Sequence, residues 1–391
     1  MKAVRGSYRS APALLPLFLF SLGHLCVDVY SGVLGALQPL LVKRFGLSLA
    51  QAGLLGGALV FSASLMQPAY GYLSDRINSR LFAALGPAVA GVFISLLGLA
   101  PGYPWLFAMV LLGGAGVAAF HPQASSQCVA NIESNRGRAM AVFVSSGTLG
   151  FALGPLFFSL LAREFGLAGV WTGAIPGVLV SVLLLTLLPA PARQSSRGPA
   201  FDWQPLLKFW KPITLLFALV FLRSAVQVVY GQFIPLYLTI ERGFSNTVAS
   251  LGLSIYITAG AIGGLAGGHL ADRFGGKLVI ALSMIGSVPF LLAFFLTRGA
   301  ASLIALAAGG LVLLFTIPVN VVMAQDLAPA QAGTVSALMM GFAYGTSGLI
   351  FIPLTGWMSD LFSIRYALMA LLAFPLAGFG LSLLLPAHAH R

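Results

Sequence analysis

Charged residues are scarce in this sequence. Asp, Glu, Lys and Arg make up 8% of its 391 residues, whereas a typical soluble domain carries about a quarter. So little charge cannot cover a surface that faces water, which excludes a soluble enzyme, a nucleic-acid-binding protein and a disordered chain. The net charge of +12 does not reverse this conclusion, because the basic residues fall in short stretches between apolar runs. The composition predicts a polytopic membrane protein that is surrounded by lipid and has no nucleic-acid partner.

Cysteine is also rare, and the common motifs of enzymes are missing. Cys26 and Cys128 stand far apart in apolar runs, with neither a CxxC pair nor a metal-ligand spacing, so we interpret them as small buried hydrophobic residues. The sequence has no Walker A loop, GxGxxG fingerprint, HExxH or GxSxG. These absences predict a protein that is not an enzyme and holds no cofactor or metal. An ion gradient or downhill movement is then the expected driving force, rather than ATP.

Apolar runs fill most of the chain, and twelve of them are long enough to cross about 30 Å of hydrocarbon as helices. They cover residues 14–41, 49–73, 81–100, 105–130, 139–163, 169–188, 212–239, 247–270, 278–297, 301–325, 333–358 and 365–385. A polar stretch from Pro189 to Lys211 separates six runs from six. We therefore expect an N-terminal bundle in residues 1–190, a linker in 191–211 and a C-terminal bundle in 212–391.

The two halves of the sequence repeat each other. A shift of 197 residues aligns Gly71–Arg80 (GYLSDRINSR) with Gly268–Lys277 (GHLADRFGGK), and the same shift aligns Gly46 and Ser48 with Gly243 and Ser245. The predicted fold is therefore all-α: a polytopic membrane protein with twelve transmembrane helices in two pseudo-symmetric six-helix bundles.

The repeated stretch and several other motifs carry a family resemblance. Gly71–Arg80 and Gly268–Lys277 resemble the signature between helices 2 and 3 of the major facilitator superfamily and its copy between helices 8 and 9. Within that superfamily, the sequence is similar to the fosmidomycin resistance family of efflux pumps. The matching stretches are Gly23–Asp28, Ala119–Pro122, Val322–Asp326 and Leu338–Ala343. The match is incomplete, since Gln123 stands where the family would have Glu, the helix-4 Arg signature of many drug antiporters is absent, and the helix-5 motif is partial.

The resemblance implies a role for the charged residues of the repeated stretch. In the superfamily these residues latch the cytoplasmic gate in one of its two states. The corresponding residues here are Asp75, Arg76 and Arg80 in the first copy and Asp272, Arg273 and Lys277 in the second. The alternative is that they are solvated charges of tight turns.

Asp28 is the only acidic residue near the middle of a predicted span. A carboxylate there costs about 2.5–3.5 kcal/mol and normally faces a cavity or a partner. His24 lies one turn earlier on the same helix face. We predict that Asp28 and His24 couple transport to protons, while a structural hydrogen bond to another helix is the alternative. Gln123 cannot titrate, so Asp28 offers carboxyl chemistry for one proton, and His24 or His121 is the alternative carrier.

Arg223 lies about as deep in helix 7 as Asp28 does in helix 1. A charged Arg at that depth needs an anionic partner, either Asp28 or a substrate, and its planar guanidinium suits carboxylate, phosphate or phosphonate. The alternative is a fixed ion pair or a side chain that extends to the interface. Gln227 and Tyr230 follow at one and two turns and are expected on the same wall.

Proline is predicted to interrupt helices 4 and 10 near His121 and Gln123, and near Asn320. Pro122 and Pro318 lack the amide hydrogen that a continuous helix needs, and interrupted helices in a membrane are tolerated where they are buried or line water. Paired interruptions in the two halves are typical of a central substrate site. We predict that His121, Gln123, Arg223, Gln227, Tyr230 and Asn320 bind substrate.

These features favour a secondary active transporter. The first hypothesis is a proton-coupled exporter (antiporter) of a small anionic or polar organic compound, such as a phosphonate antibiotic, which works as a monomer in the bacterial inner membrane. The second is a facilitator or proton symporter that takes up a small organic metabolite, because the same fold supports both. An enzyme or sensor would need a catalytic cluster or a large extramembrane domain, and neither is visible in the sequence.

The distribution of basic residues gives a testable topology. With a cytoplasmic N-terminus, 14 of the 21 Lys and Arg residues lie on the cytoplasmic side and six on the other, with Arg223 inside a helix. Positive charge concentrates on the cytoplasmic side of membrane proteins, so both termini and the linker are predicted to be cytoplasmic. In a background without Cys26 and Cys128, a cysteine replacing Ser195 should not react with an impermeant thiol reagent in intact cells. Arg298→Cys, on the opposite side, should react, and the reverse pattern would invert the topology.

Overall fold

The structure is a computed structural model that describes residues 14–77, 79–130, 132, 135–188 and 208–386. Every regular element in these ranges is helical. The transmembrane helices are α1 Leu14–Phe45, α2 Leu49–Ser74, α3 Leu81–Leu99, α4 Tyr103–Gln127, α5 Arg136–Gly169, α6 Ala174–Leu187, α7 Trp210–Glu241, α8 Asn246–Phe274, α9 Gly276–Leu296, α10 Gly299–Leu327, α11 Ala332–Leu361 and α12 Ile364–Leu383. The predicted linker lies outside the described residues except for positions 208–211, and the basic N-terminal tail lies outside them entirely.

The helices α5 and α6 follow each other without a non-helical gap, but together they cross the membrane twice. Residues 136–187 form one segment of 52 residues, which at about 1.5 Å per residue is more than twice the thickness of the hydrocarbon. The backbone leaves helical geometry at Gly166, where φ is 69° and ψ is 170°. The eleven apolar helical segments of the described chain therefore make twelve crossings, which confirms the predicted fold class.

The repeat in the sequence has a structural cause at the start of the second helix of each half. Gly46 and Gly243 have φ values of 61° and 68°, in the left-handed region that glycine adopts without steric cost. Ser48 and Ser245 then cap α2 and α8 by accepting hydrogen bonds from the backbone N–H groups of Gln51 and Val248. The two halves thus turn from one helix into the next in the same way.

The basic ends of the two repeated stretches also make equivalent bonds. Arg80 donates to the carbonyl of Leu188 at the end of α6, and Lys277 donates to the carbonyls of Leu383 and Leu385 at the end of α12. Leu188 and Leu385 are separated by the same 197 positions as Arg80 and Lys277. Cations at a helix C-terminus satisfy carbonyls that lack an intrahelical partner, so each side chain ties the last helix of a bundle to the start of its third helix.

Apolar side chains form a core in each bundle. One buried cluster lies within residues 17–188, and two others lie mainly within residues 213–385. Ala52 and Val60 of α2 are buried in the second bundle's core rather than their own. The two bundles therefore share apolar packing along α2.

The bundles are joined most closely at one membrane face, which holds the loops 46–48, 242–245 and 362–363 and is called the sealed face below. A Cβ atom at Gly35 of α1 would lie 2.2 Å from the carbonyl oxygen of Gly231 in α7, so the two backbones touch there. Nearby, the side-chain amide of Gln38 donates to the side chain of Gln232 at 3.3 Å and to the carbonyl of Ala52 at 2.9 Å. Backbone contact and buried amides close this face.

A carboxylate completes the closure of the sealed face. Both oxygens of Asp360, near the end of α11, accept hydrogen bonds of 2.8 Å from the backbone N–H groups of Leu49 and Ala50, the first residues of α2. An anion at a helix N-terminus is stabilised by the unsatisfied N–H groups and by the helix dipole. Because α11 and α2 belong to different bundles, this side chain bridges them.

Toward the opposite face, called the open face below, the packing of the same two helices stays within one bundle. The turns Gln67–Ile77, which overlap the end of α2 and continue it past Ser74, pack mainly on α4. The first turns of α11, Ala332–Ala337, pack mainly on α10. The structure is therefore closed at one face and parted at the other.

The bridge made by Asp360 generates a stability prediction for the sealed face. Asp360→Ala removes both bonds to α2. Caps of this kind contribute about 1–2 kcal/mol, so their loss should raise the population of the opened face about five- to thirtyfold. A cysteine replacing the buried Ala52, in a background without Cys26 and Cys128, should then be alkylated faster by that factor in the purified protein.

Glu241→Ala provides the matched control. Glu241 also caps a helix at the sealed face, through the N–H groups of Ile364 and Arg365, but both partners belong to its own bundle. This variant should leave the alkylation rate unchanged. Equal rates in both variants would mean that Asp360 stabilises a helix rather than the closed face.

Candidate functional site

Three titratable side chains meet between α1 and α4, and we call them the histidine–carboxylate cluster: His24, Asp28 and His121. The Nε2 atom of His24 lies 3.3 Å from one oxygen of Asp28, and the Nε2 atom of His121 lies 3.4 Å from the other. The hydroxyl of Ser31 donates to the same carboxylate at 3.3 Å. The i,i+4 spacing predicts the contact between His24 and Asp28, whereas His121 comes from another helix, and no sequence spacing relates it to Asp28.

The second ring nitrogen of each histidine is already bound to a backbone carbonyl. The Nδ1 atom of His24 lies 2.8 Å from the carbonyl oxygen of Phe143, and that of His121 lies 2.8 Å from the carbonyl oxygen of Val117. A carbonyl can only accept, so each Nδ1 carries the hydrogen and each Nε2 presents a lone pair to the carboxylate. Two lone pairs repel, and each contact between Nε2 and oxygen therefore requires a proton.

The surrounding helices hold His24 in a close-fitting position. Its ring stacks on Phe143 with a centroid distance of 4.2 Å. A Cβ atom at Gly147 would lie 2.3 Å from its Nε2, so only glycine leaves room for the ring. The side chains of Asp28 and His121 retain 16% and 21% exposure. The cluster is thus fixed on the α5 side and accessible on the other.

The same three side chains are the groups in the described chain that could hold a metal ion. Their ligand atoms all lie within 4.8 Å of one another, and imidazole nitrogen and carboxylate oxygen are zinc ligands. A structural zinc site takes four protein ligands, however, and this cluster supplies three. A proton in each contact between a ring nitrogen and a carboxylate oxygen accounts for the same geometry, and the role of His24 and Asp28 in proton coupling stays a prediction.

Arg223 forms a second polar site, on α7. Its side chain is 5% exposed, and its Nη1 donates to the side-chain oxygen of Gln227 one turn later. Its Nε is buried without a hydrogen-bond partner. The ion pair with Asp28 that the sequence left open is not formed, because both oxygens of Asp28 face the two histidines. Among the ion pairs of the described residues, none includes Arg223.

A cavity of about 140 Å³ adjoins Arg223. Its lining residues come from α7, α10 and α11 and are Val220, Arg223, Gln227, Ile317, Val321, Met339, Met340 and Tyr344. Tyr344, one of these lining residues, lies within electrostatic range of both Arg223 and Asp28.

Four of the predicted substrate-binding residues are not among the residues that line this cavity. His121 belongs to the histidine–carboxylate cluster instead. Gln123 accepts a hydrogen bond from the N–H of Ala83 at 2.8 Å and donates to the carbonyl of Ser79 at 2.7 Å, and so joins α4 to the start of α3. The hydroxyl of Tyr230 is buried and donates to a backbone carbonyl of α12. Asn320 is fully buried, and neither amide atom has a hydrogen-bond partner. Their role in binding stays a prediction.

The predicted proline interruptions have different outcomes. In α10 the helix ends at Leu313 and resumes at Thr316, just before Pro318, which confirms the interruption. In α4 the prediction is wrong, because the helix runs through Pro122 to Gln127. Proline removes one hydrogen bond and leaves the others of the helix intact, and here the remaining bonds hold it.

The described side chains of the predicted gate make contacts within their own bundles. Arg76 lies over the ring of Tyr72 at 4.5 Å, and Arg273 lies over the ring of Phe274 at 5.4 Å. Asp272 is exposed, while the side chain of Asp75 lies outside the described residues. Their gating role stays a prediction. The acid that joins the bundles is Asp360, and the sequence offers no signal for its partners at the start of α2.

Comparisons with known proteins agree with this architecture. The chain is 28% identical to the fosmidomycin resistance protein of Escherichia coli over 381 residues, which cover 95% of this chain and 92% of that protein. It is 26% identical to the multidrug resistance protein MdtG of Serratia proteamaculans over 71% of this chain and 70% of that protein.

Solved structures show the same fold at low sequence identity. A bacterial homologue of the human lysosomal transporter Spinster, in an inward-facing and unoccupied conformation, matches with a TM-score of 0.81 at 18% identity, covering 96% of this chain and 97% of that one. The nucleoside transporter NupG matches with a TM-score of 0.79 at 15% identity, covering 96% and 100%.

The family profile matches residues 20–351, which extend from α1 into α11 and include both polar sites. Together with the twelve crossings and the internal repeat, this match places the chain in the Major Facilitator Superfamily of membrane transporters.

Proposed function

We propose that this transporter is a proton-coupled exporter of a small organic anion in the bacterial inner membrane. The observation that carries the proposal is the presence of two separate polar sites at mid-depth: a proton site between α1 and α4 and an unpaired arginine on α7. The names of relatives, fosmidomycin resistance protein and multidrug resistance protein, support export of an organic compound.

The histidine–carboxylate cluster supports proton coupling. Each of its two contacts between Nε2 and a carboxylate oxygen needs a proton, so the cluster holds up to two and carries a different charge when it releases one. The titratable groups that face Asp28 are His24 and His121, with Tyr344 within electrostatic range. A histidine exchanges protons near neutral pH, which suits a carrier that loads on one side of the membrane and unloads on the other.

Arg223 supports an anionic substrate. A guanidinium inside a membrane protein is costly unless an anion or strong acceptors compensate its charge, and here one neutral amide is its hydrogen-bond partner. Carboxylate or phosphonate oxygens would supply the missing acceptors in the bidentate geometry that arginine prefers.

The predicted topology places the sealed face outside the cell. The cavity then opens toward the cytoplasm, as expected for a protein that collects its substrate there. Export requires the protonated cluster and the substrate-loaded arginine to favour opposite-facing conformations. Sites on different bundles can meet this requirement, because alternating access moves one bundle against the other.

The second candidate is proton symport of an anion into the cell. It is favoured by the absence of a bond between Asp28 and Arg223, since proton and substrate then do not compete for one residue. Protons on the cluster would instead attract an anion to the cavity. Flux of radiolabelled fosmidomycin into or out of proteoliposomes under an imposed pH gradient separates the two directions.

Asp28→Asn tests the proton site. The variant keeps the shape of the side chain but cannot carry a negative charge, so accumulation of fosmidomycin against its gradient should fall to the level of protein-free liposomes, while exchange between equal concentrations should continue. Glu164→Gln is the matched control, since Glu164 pairs with Arg163 at an exposed position. If Asp28→Asn still concentrates fosmidomycin, Asp28 does not couple transport to protons.

Arg223→Gln tests the anion site. Loss of charge-assisted hydrogen bonds, worth about 1.5–3 kcal/mol, should weaken binding of fosmidomycin about ten- to a hundredfold in titration calorimetry of the purified protein. Binding of a neutral ester of the same compound should change much less. An equal loss for both compounds would assign Arg223 a structural role.

A further inference from the structure

The cavity next to Arg223 is polar at its deep end and apolar toward the open face. On α7, Val220 precedes Arg223 and Gln227 by one and two turns and lies nearer the open face, where this helix begins. On α11, Met339 and Met340 precede Tyr344 by about one turn and lie on the same side. The lining therefore changes from charged and hydrogen-bonding to apolar along one axis.

The apolar end is built from adaptable side chains. Met339 and Met340 lie in a π-helical turn, Leu338–Phe342, and such turns occur often at functional sites. Ile317 and Val321 of α10 face the same space. Methionine is flexible and polarizable and fits ligands of varied shape. A wholly polar ligand would leave these apolar side chains in contact with water. The polar groups of the ligand would also lose hydration where they lie beside the apolar side chains.

The deep end carries a single positive charge. Arg223 is the one cation among the lining residues of the cavity. Part of its guanidinium is engaged by Gln227, while the buried Nε has no partner. One guanidinium compensates one negative charge, so a di- or polyanion would keep an unpaired charge in a low-dielectric site, which is costly.

We propose that the cavity binds singly charged amphiphilic anions, with the acidic head on Arg223 and a short apolar body against the accessible apolar side chains of the lining, which are Met340, Ile317 and Val321. This inference rests on the proposed anion site and adds the substrate class. It ranks such compounds above small, wholly polar phosphonates and above multiply charged metabolites.

The test uses n-alkylsulfonates from methanesulfonate to hexanesulfonate, because they carry one negative charge at any working pH. Binding to the purified full-length protein in lipid nanodiscs is measured by calorimetry, with empty nanodiscs as the blank. Each added methylene should tighten binding about fourfold, the equivalent of about 0.8 kcal/mol, until the chain outgrows the cavity. Disulfonates of the same length should bind at least tenfold more weakly.

Met340→Gln isolates the apolar contribution. Met340 is 58% exposed at the mouth of the cavity, so the change does not disturb a core, and it should flatten the dependence on chain length while leaving methanesulfonate binding intact. Met358→Gln, on the same helix but outside the cavity lining, should leave the dependence unchanged.

The outcomes separate this inference from the anion site on which it rests. Sulfonate binding that depends on Arg223 but not on chain length would overturn the amphiphilic class and leave the anion site standing. Equal dependence on chain length for sulfonates and neutral alkanols, unaffected by Arg223→Gln, would overturn both. The absence of binding for every sulfonate would also overturn both the anion site and the amphiphilic class.

Discussion

A charge inside hydrocarbon must be compensated, and this requirement governs where the protein places its few ionic groups. Asp28 is surrounded by two histidines that can share protons with it. Arg223 has one neutral amide as a hydrogen-bond partner and adjoins a cavity. The first group is compensated within the protein, whereas the second has no anionic partner among the described ion pairs. That difference is the physical basis for assigning protons to one site and substrate to the other.

The internal repeat preserves the turns and capping bonds of the fold but not the residues of the two polar sites. The turns at Gly46 and Gly243 and the bonds of Arg80 and Lys277 are equivalent in the two halves. By contrast, the position that corresponds to Asp28 is Ala225, and the position that corresponds to His121 is Pro318. Each half therefore folds by the same local rules, while the proton site and the substrate site that we propose lie in different halves.

Sequence reasoning predicted the fold well because its signals are local. Apolar length, glycine before a capping serine and basic loops each act within one turn or one helix. It also found the pair His24 and Asp28, which share a helix face. It could not place His121 beside Asp28, since that contact depends on how α4 packs against α1. It placed Gln123 in the cavity by analogy with a carboxylate, whereas the amide of Gln123 binds two backbone groups at the contact with α3.

The bond that Asp360 makes across the bundles lies in a different environment from the buried sites. The carboxylate of Asp360 is exposed, and its two partners, Leu49 and Ala50, are partly exposed. Its attraction to the end of α2 is therefore screened by dissolved ions over a Debye length of about 8 Å at physiological salt. The histidine–carboxylate cluster is shielded from that screening by the surrounding helices. The stability of the closed sealed face thus depends on the salt content of the surrounding medium, whereas the interactions within the buried cluster do not.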